Sequence, residues 1–567
     1  MSSAMLRACV PVAIPHLRRP TGPFDGVGLA HVYHVQQGRA ACPRPLAGRR
    51  VLAGGSRDGS RHAARGIRDG TFDRSGAPVR SGACCCASSD DRRRRRMDGG
   101  RGGLSPRSGR ATRVLRGARA MSPDELGVVD AARLIRQKEL SPLELVDSLL
   151  ARIDAVDERV KAWALVDREN ARAAARQAAD EVARGVLRGP LHGVLFGAKD
   201  IFYSAGLRTE GGSKVMAGFV PPYDATSVKK LKDAGAILLG KLHTTEFATY
   251  DPAPTRNPWN LACTPGGSSS GSAAAVAARM APLSLGSQTI GSNVRPASYC
   301  GLVGLKPTFG RISTRGVMAL SYTQDHVGLM ARRVEDVALA LELTAGHDPH
   351  DPSSSRQPVL DYLAAITRRR APRVGLLREP FFSRATPEVA RVTSQVVDRL
   401  AGAGAVIEDA KMPASFGVVH AAAYVITRSD TASLHAERFA LKADLYRPAI
   451  RSAIEMGMLI PGDLYVRALR IRSQFRREML PLLERYDVLL TPTTPAPAPE
   501  GMPTGDPQFQ IPWSLSGLPS ITVPCGLSST GLPLGIQLVS GMFTEPSLLA
   551  AAAWCEDVLG RGPAPNL

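Results

Sequence analysis

Short apolar runs alternate with helical patterns along most of this chain, and the alternation restricts its fold more than any other feature. The runs "GVLFGAKD" and "AILLGKL" have the length and composition of buried strands, and helical stretches such as "ATSVKKLKDAG" accompany them. The pattern continues with the apolar run "PRVGLLRE", then a predicted helix from about Pro387 to Gly404, and then the run "YDVLLTPTTPAP". Strands interleaved with helices predict an α/β fold, a layered sheet with both faces covered.

Helix signals define the rest of the organisation. Ser141 is the predicted N-cap of one helix, and Pro142 lies in its first turn. A second, alanine-rich helix follows and is predicted to end at Gly185. The region from about Ser415 to Arg485 is rich in helical patterns without an obvious strand, which suits a cap over a sheet edge. We see no linker-like break after Met121, so residues 121–567 are predicted to form one domain.

The first 120 residues differ from the rest in composition. They hold 24 Arg, no Lys, 7 Asp and no Glu, a net charge of +17 out of +21 for the whole chain of 567 residues. Without sustained apolar periodicity they cannot bury a core, so residues 1–120 are predicted to be a disordered Arg-rich extension. Three explanations stay open: a tail that attracts nucleic acid, a targeting extension, and a mis-assigned start with Met121 as the true first residue.

Cysteine usage follows the same division. Five of the nine cysteines lie in the first 120 residues, and Cys263, Cys300, Cys525 and Cys555 are far apart. There is no CxxC pair and no Cys/His cluster with zinc spacing, so a metal is not expected. The same cysteine usage predicts a reducing, cytoplasmic setting. No apolar run reaches about 18 residues, so a membrane span is not indicated. Residues 121–567 carry a net charge of only +4 (48 basic and 44 acidic residues), so a nucleic-acid partner is not indicated for the body of the chain.

The stretch "GVLFGAKD" places Lys199 at the end of an apolar run. Dry surroundings lower the pKa of a lysine and leave a neutral amine that can act as a base. Asp200 is adjacent, but successive side chains of a strand face opposite ways, so it need not neutralise Lys199. A solvated strand end is the alternative for this pair when it is considered alone.

The stretch "TPGGSSSGSAAAVAARMA" is a Gly/Ser loop that runs into an alanine-rich helix. Unpaired backbone N–H groups and serine hydroxyls at such a helix start can position a hydroxyl or an anion. The string matches G-x-S-x-G with Ser269 at its centre, but no strand leads into it, which argues against an α/β-hydrolase. No Gly-Lys-Ser/Thr follows, which argues against a P-loop. A flexible connector is the remaining alternative.

The stretch "GSQTIGSNVRP" brings these signals together. Its Ser292 lies 24 residues after Ser268, which in turn lies 69 residues after Lys199. A serine hydroxyl becomes a good nucleophile when a base takes its proton, and a neutral lysine could do this through a second serine. Small residues before Ser292 would let backbone N–H groups converge on an oxyanion.

These stretches resemble the amidase signature family, whose Ser-cisSer-Lys triad lies in blocks of this kind. Lys199 in "GAKD" matches the family's base, Ser268 in "PGGSSSGSAAAVAA" its relay serine, and Ser292 in "TIGSNVRPAS" its nucleophile. The blocks "GKLHTTEFA", "TRNPWN", "GLVGLKPTFGRIS", "DHVGLMARRVEDVALAL" and "GLPSITVPCG" agree as well. The resemblance spans roughly Met121 to Trp554 and implies a mixed sheet with a helix-rich cap.

The resemblance implies a hydrolase without metal or organic cofactor that cleaves a small-molecule carboxamide through an acyl-enzyme on Ser292. The oxyanion would be held by backbone N–H groups of Thr289, Ile290, Gly291 and Ser292. Substrate would contact Gly267, Ser269 and Arg295. The "VRPAS" form resembles family members that act on amides carrying a carboxylate, which a guanidinium could clamp. The alternative for Arg295 is to tie down its loop through backbone carbonyls.

Other functions remain open at this stage. One is the glutaminase-like A subunit of a tRNA-dependent amidotransferase, which works with a B-type partner, and another is a catalytically impaired relative that only binds. A homodimer is also open. His192, His243 and His326 fit no Ser-His-Asp order, so structural roles are expected for them.

Two residues depart from the family's pattern around the nucleophile. Ile290 stands where the family usually has a glycine, and Asn293 stands where it has a hydrophobic residue. A positive φ at Ile290 would strain the backbone or flip the oxyanion hole, whereas a negative φ would change only the direction of the side chain.

Overall fold

The structure is a computed structural model that describes residues 121–367 and 369–567. A mixed sheet of eleven strands runs through this part of the chain. The predicted disorder of residues 1–120 lies outside the described residues. The strands are β1 (Trp163–Val166), β2 (Leu195–Lys199), β3 (Ile237–Leu242), β4 (Leu283–Gln288), β5 (Val303–Lys306), β6 (His326–Ala331), β7 (Arg373–Leu377), β8 (Val406–Ala410), β9 (Val488–Pro492), β10 (Ser520–Leu527) and β11 (Pro533–Val539).

Fourteen α-helices accompany these strands in the described ranges, and none of them is long and apolar enough to cross a bilayer. They are α1 (Val128–Arg136), α2 (Pro142–Val160), α3 (Arg168–Ala183), α4 (Thr226–Asp233), α5 (Ser270–Ala277), α6 (Val294–Tyr299), α7 (Val334–Thr344), α8 (Tyr362–Thr367), α9 (Pro387–Gly402), α10 (Phe416–Lys442), α11 (Pro448–Met458), α12 (Gly462–Arg485), α13 (Ile511–Ser516) and α14 (Glu545–Leu559).

The strand order is β1-β3-β2-β4-β6-β5-β10-β11-β9-β7-β8. The neighbours β3, β2 and β4 run parallel, as do β9, β7 and β8, and the other pairs are antiparallel. The hairpin β10–β11 is last in sequence but lies in the middle of the sheet, between β5 and β9. These two strands therefore join the half of the sheet that contains β3, β2 and β4 to the half that contains β9, β7 and β8.

Burial confirms the predicted α/β layering. Every residue of β2, β3, β4, β5, β6, β9 and β11 is buried. Because successive side chains of a strand point to opposite faces, complete burial means that both faces of these strands are covered. The outer strands β1 and β8 are only partly buried.

The predicted helix-rich region is α10, α11 and α12, which pack on one another and bury Ile426, Ile454 and Phe475. Two other helix ends differ slightly from the sequence prediction. α3 and α9 each end two residues before the predicted glycine, and both glycines, Gly185 and Gly404, have positive φ (79° and 108°). A glycine in this conformation commonly follows a helix rather than closing its last turn.

Candidate active site

Lys199 is the last residue of β2, and its side chain is fully buried. Its Nζ lies 2.7 Å from Ser268 Oγ and 2.8 Å from Ser287 Oγ. Burial lowers the pKa of Lys199 to about 7, and the charge of Asp325 acts in the opposite direction. A neutral amine has two N–H donors and one lone pair, so it can donate to one serine and accept a proton from the other.

Sheet topology explains why Lys199 meets Ser287. β2 and β4 are parallel neighbours, with Ala198 opposite Leu285. Lys199 and Ser287 therefore lie at the same carboxyl-terminal edge of two adjacent strands. Sequence reasoning missed Ser287, although it stands in the stretch that contains Ser292, because only the pairing of these strands brings it to the lysine.

Ser268 lies in a tightly packed loop that leads into α5. The Gly267–Ser268 peptide bond is cis, Gly267 N donates to Thr504 O (3.1 Å), and Ser268 is buried. A Cβ at Gly266 would come within 3.0 Å of Tyr299 and Pro296, and the φ of Gly266 is +81°. Gly266 of the "PGG" element is therefore favoured both by close packing and by backbone conformation.

Ser269 joins this loop to β4 and to the loop that contains Ser292. Its hydroxyl bonds both to the carbonyl and to the N–H of Ser287 (3.2 Å each), and its N–H donates to Ser292 O (3.2 Å). Neither Ser269 nor Gly267 is among the residues that line the two cavities at the site. Both hold other site residues in place.

Ser292 lies between β4 and α6, two residues before the first residue of α6, and it lines a cavity of about 470 Å³ that includes space open to solvent. Gln288 fixes the start of α6, because its Oε1 accepts from Asn293 N (3.0 Å) and Val294 N (2.9 Å). Among the described residues, none accepts a hydrogen bond from the backbone N–H groups of residues 290–292. These groups are free to bind an oxyanion.

The structure answers the conformational question at Ile290. Neither Ile290 nor Gly291 is among the described residues with positive φ. The Ile290 side chain is buried in an apolar cluster that includes Phe381, Phe509 and Trp513, and it also lines the cavity. The isoleucine therefore changes the cavity wall without straining the backbone.

Asn293 has a structural reason for its departure from the family pattern. Its Nδ2 donates to Leu305 O (3.0 Å) on β5. A Cβ at Gly286 or at Gly328 would lie 2.4 Å or less from Asn293 side-chain atoms. The amide thus fits between two strand glycines and ties the start of α6 to the sheet.

Arg295 is a buried residue of α6, three residues after Ser292. Its Nη2 donates to Gly267 O (2.7 Å), which supports the loop-tying alternative, while Nε and Nη1 are buried with no partner among the described residues. Burial lowers its pKa, and Tyr299, Tyr250 and Asp506 act in the opposite direction. Arg295 also lines the cavity with Ser292, so a guanidinium with two nitrogens that lack hydrogen-bond partners borders the space that a substrate would fill.

Asp325 is a second residue that sequence reasoning missed. It precedes β6, the antiparallel neighbour of β4, and accepts from Thr289 Oγ1 (2.5 Å) and from Leu320 N (2.7 Å). Burial raises its pKa to about 6. With Ser287, Thr289 and His326 it lines a second cavity of about 250 Å³. Asp200, by contrast, lies 3.8 Å from Lys241 and pairs with that lysine.

Two of the three histidines named in the sequence contact backbone carbonyls through their rings. His192 contacts Ala178 O (3.0 Å), and His326 Nδ1 contacts Gln288 O (3.2 Å). Burial lowers the pKa of His243 to about 4. Among the described residues, no group of three or more His, Cys, Asp or Glu side chains is arranged to hold a metal ion.

Similarity to known proteins shows the family to which this chain belongs. The amidase family model matches residues 144–549, so the chain belongs to the amidase signature family of enzymes. The A subunit of glutamyl-tRNA(Gln) amidotransferase from Geobacter metallireducens is 39% identical over 457 residues, 74% of this chain and 94% of that protein.

Solved structures are similar over the same part of the chain. One, reported as a vestigial protein complex that reveals the evolutionary origins of an s-triazine catabolic enzyme, has a TM-score of 0.72 at 32% identity, covering 77% of this chain and 100% of the other. The native peptide amidase from Stenotrophomonas maltophilia has a TM-score of 0.69 at 30% identity, covering 78% and 98%.

Proposed function

We propose that this enzyme hydrolyses amides that carry a carboxylate, with Ser292 as nucleophile, Ser268 as relay and Lys199 as base. One observation carries the proposal: the cavity at Ser292 is also lined by Arg295, a buried cation with two unpaired nitrogens, and by no acidic residue. A buried, unpaired charge is costly, so an anionic group in the cavity would be stabilised.

The proposed reaction begins with proton transfer. Ser268 passes its proton to neutral Lys199 and takes the proton of Ser292, whose Oγ forms a bond with the amide carbon. The backbone N–H groups of residues 290–292 hold the oxyanion of the tetrahedral intermediate. When the C–N bond breaks, the proton returns through Ser268 to the leaving amine. Water then attacks the ester on Ser292 by the same relay and releases the carboxylate product.

A second candidate function has its own support. The A subunit from Geobacter metallireducens aligns over nearly its whole length, which favours a glutaminase-like subunit that acts within an assembly. Glutamine carries an ammonium group besides its carboxylate, and no acidic residue lines the cavity of the isolated chain to receive it. Glutamine hydrolysis that appears only after addition of amidotransferase partner subunits would favour this candidate.

The test of the main proposal is a panel of amides with the full chain. We expect succinamate to be hydrolysed with a higher kcat/KM than the neutral analogue butyramide, and Arg295→Gln to remove most of that preference. Ser292→Ala is the control for background turnover. Equal kcat/KM for the two amides, in a preparation whose turnover depends on Ser292, would contradict the carboxylate preference.

The setting is part of the proposal. We expect the enzyme to work in a reducing cytoplasm, and the free state of the four described cysteines supports this.

A further inference from the structure

A second guanidinium group lies at the wall of the cavity that contains Ser292. Arg428 belongs to α10, is half-buried, and lines the cavity. Its Cζ lies 5.9 Å from the centroid of the Tyr250 ring, a cation–π contact that holds the planar group against the ring. Among the described residues, no carboxylate forms an ion pair with it.

The neighbouring polar groups of α10 are already engaged. Tyr424, Thr427, Arg428 and Thr431 line the cavity at the spacing of one helical face. Thr427 Oγ1 donates to Ala423 O (2.8 Å), and Thr431 Oγ1 lies 3.0 Å from Leu320 O. Arg428 is therefore the cation of this face that remains available to a ligand.

The nearest acidic residue in sequence cannot serve as its counter-charge. Asp430 lies elsewhere on α10, and its carboxylate accepts from Ser321 Oγ (2.5 Å) and Thr323 Oγ1 (2.9 Å). It does not line the cavity. The cavity thus has two cationic residues, Arg295 from α6 and Arg428 from α10, and no acidic one.

The two cations reach the cavity from different elements. Arg295 is three residues from Ser292 and buried, whereas Arg428 comes from the helix-rich cap and is more exposed. Tyr250 lines the cavity together with both arginines, and the guanidinium of Arg428 lies over its ring. Burial raises the pKa of the Tyr250 hydroxyl, and the charges of both arginines act in the opposite direction. An amide at Ser292 that extends along Tyr250 would present one end to each guanidinium group.

We propose that Arg428 is a specificity-determining residue that binds a second carboxylate, so that the substrate class is amides with a carboxylate on each side of the scissile bond. This inference rests on the proposed hydrolysis at Ser292. A guanidinium offers two parallel N–H donors to a carboxylate, which a lysine cannot reproduce. Arg428→Lys should therefore recover only part of the effect.

Two amides of matched shape test the inference on the full chain. N-succinylglycine has two carboxylates, and N-succinylethylamine replaces the second with a methyl group. We expect a kcat/KM about 10- to 100-fold higher for N-succinylglycine, as for a hydrogen bond to a charged group. Arg428→Gln should lower kcat/KM for N-succinylglycine and bring the ratio of the two kcat/KM values close to one. Arg438→Gln, on the same helix but outside the cavity lining, should keep the ratio.

Binding separates this inference from the proposed function. Calorimetry with Ser292→Ala should show tighter binding of N-succinylglycine than of N-succinylethylamine, and adding Arg428→Gln should remove the difference. If that difference is found while the wild type hydrolyses neither amide nor succinamate, the proposed function fails and the role of Arg428 in binding stands. If Arg428→Gln leaves the ratio unchanged in both measurements, the inference is overturned, whatever the turnover of succinamate.

Discussion

At the scale of single residues, the site depends on how one buried lysine is kept neutral and oriented. Lys199 contacts two serine hydroxyls and lies near Asp325, whose negative charge favours the protonated amine. Burial outweighs Asp325 and leaves the pKa of Lys199 at about 7. The lysine is therefore near the balance between its two protonation states at neutral pH, where a general base is most effective.

This balance predicts the pH dependence of the reaction. The base must be neutral, so kcat/KM should rise with pH and level off above about pH 7. Asp325→Asn keeps an acceptor for Thr289 but removes the charge that raises the pKa of Lys199. The rising limb should therefore move to lower pH in a kcat/KM profile. A limb that stays in place or moves to higher pH would count against this assignment of the base.

Ser287 should orient the lysine rather than react. Ser287→Ala removes one of the two hydroxyl contacts of Lys199, so the lone pair is no longer directed towards Ser268. We expect kcat to fall by about 10- to 100-fold, the loss of one hydrogen bond to a charged or strongly polar group. Ser287→Thr should restore most of it. An alanine variant with wild-type kcat and an unchanged pH profile would show that the contact is incidental.

At the scale of elements, the loop between β4 and α6 combines Ser292, the proposed nucleophile, with residues that pack in the core. Ile290 extends an apolar cluster of the cap, and Asn293 fits between strand glycines. From the family resemblance, both residues are departures from the pattern around Ser292, and their effect on the backbone is open. Sequence could not resolve this, because the sign of φ and the partner of a side chain depend on contacts distant in the chain.

The packing role of Ile290 is measurable as stability. Ile290→Ala leaves a cavity among aromatic side chains and should lower the free energy of unfolding by about 2–4 kcal/mol. Ile290→Val, the matched control, should cost about 0.5–1.5 kcal/mol. Denaturant unfolding gives both values. An Ile290→Ala variant as stable as the wild type would mean that the residue does not contribute to this core.

The fit of Asn293 is testable by a double-mutant cycle. Gly328→Ala would place a Cβ 2.2 Å from Asn293 Cγ and should destabilise the protein. Asn293→Ala is also expected to destabilise it, because two backbone carbonyls lose their donor. Combining them should cost less than the sum of the single changes, since the clash disappears. Additive losses in unfolding free energy would contradict the contact.

At the scale of the whole molecule, sequence predicts the layers but not their order. The apolar runs at β2, β3, β7 and β9 and the helical region α10–α12 were identified from local periodicity. That β2 and β4 are parallel neighbours, and that β10–β11 lies between β5 and β9, follows from pairing across long loops. Lys199, Ser268 and Ser292 could be named from motifs, whereas Ser287, Asp325 and Arg428 required the assembled fold.

The central claim is that Ser292 is the nucleophile and that Lys199 activates it. The direct measurement is labelling of the full chain with a fluorophosphonate, followed by mass spectrometry of the modified peptide. We expect one adduct on Ser292, no such adduct in Ser292→Ala, and much slower labelling of Ser292 in Lys199→Ala. An adduct on another serine, or a labelling rate at Ser292 that does not depend on Lys199, would contradict the account.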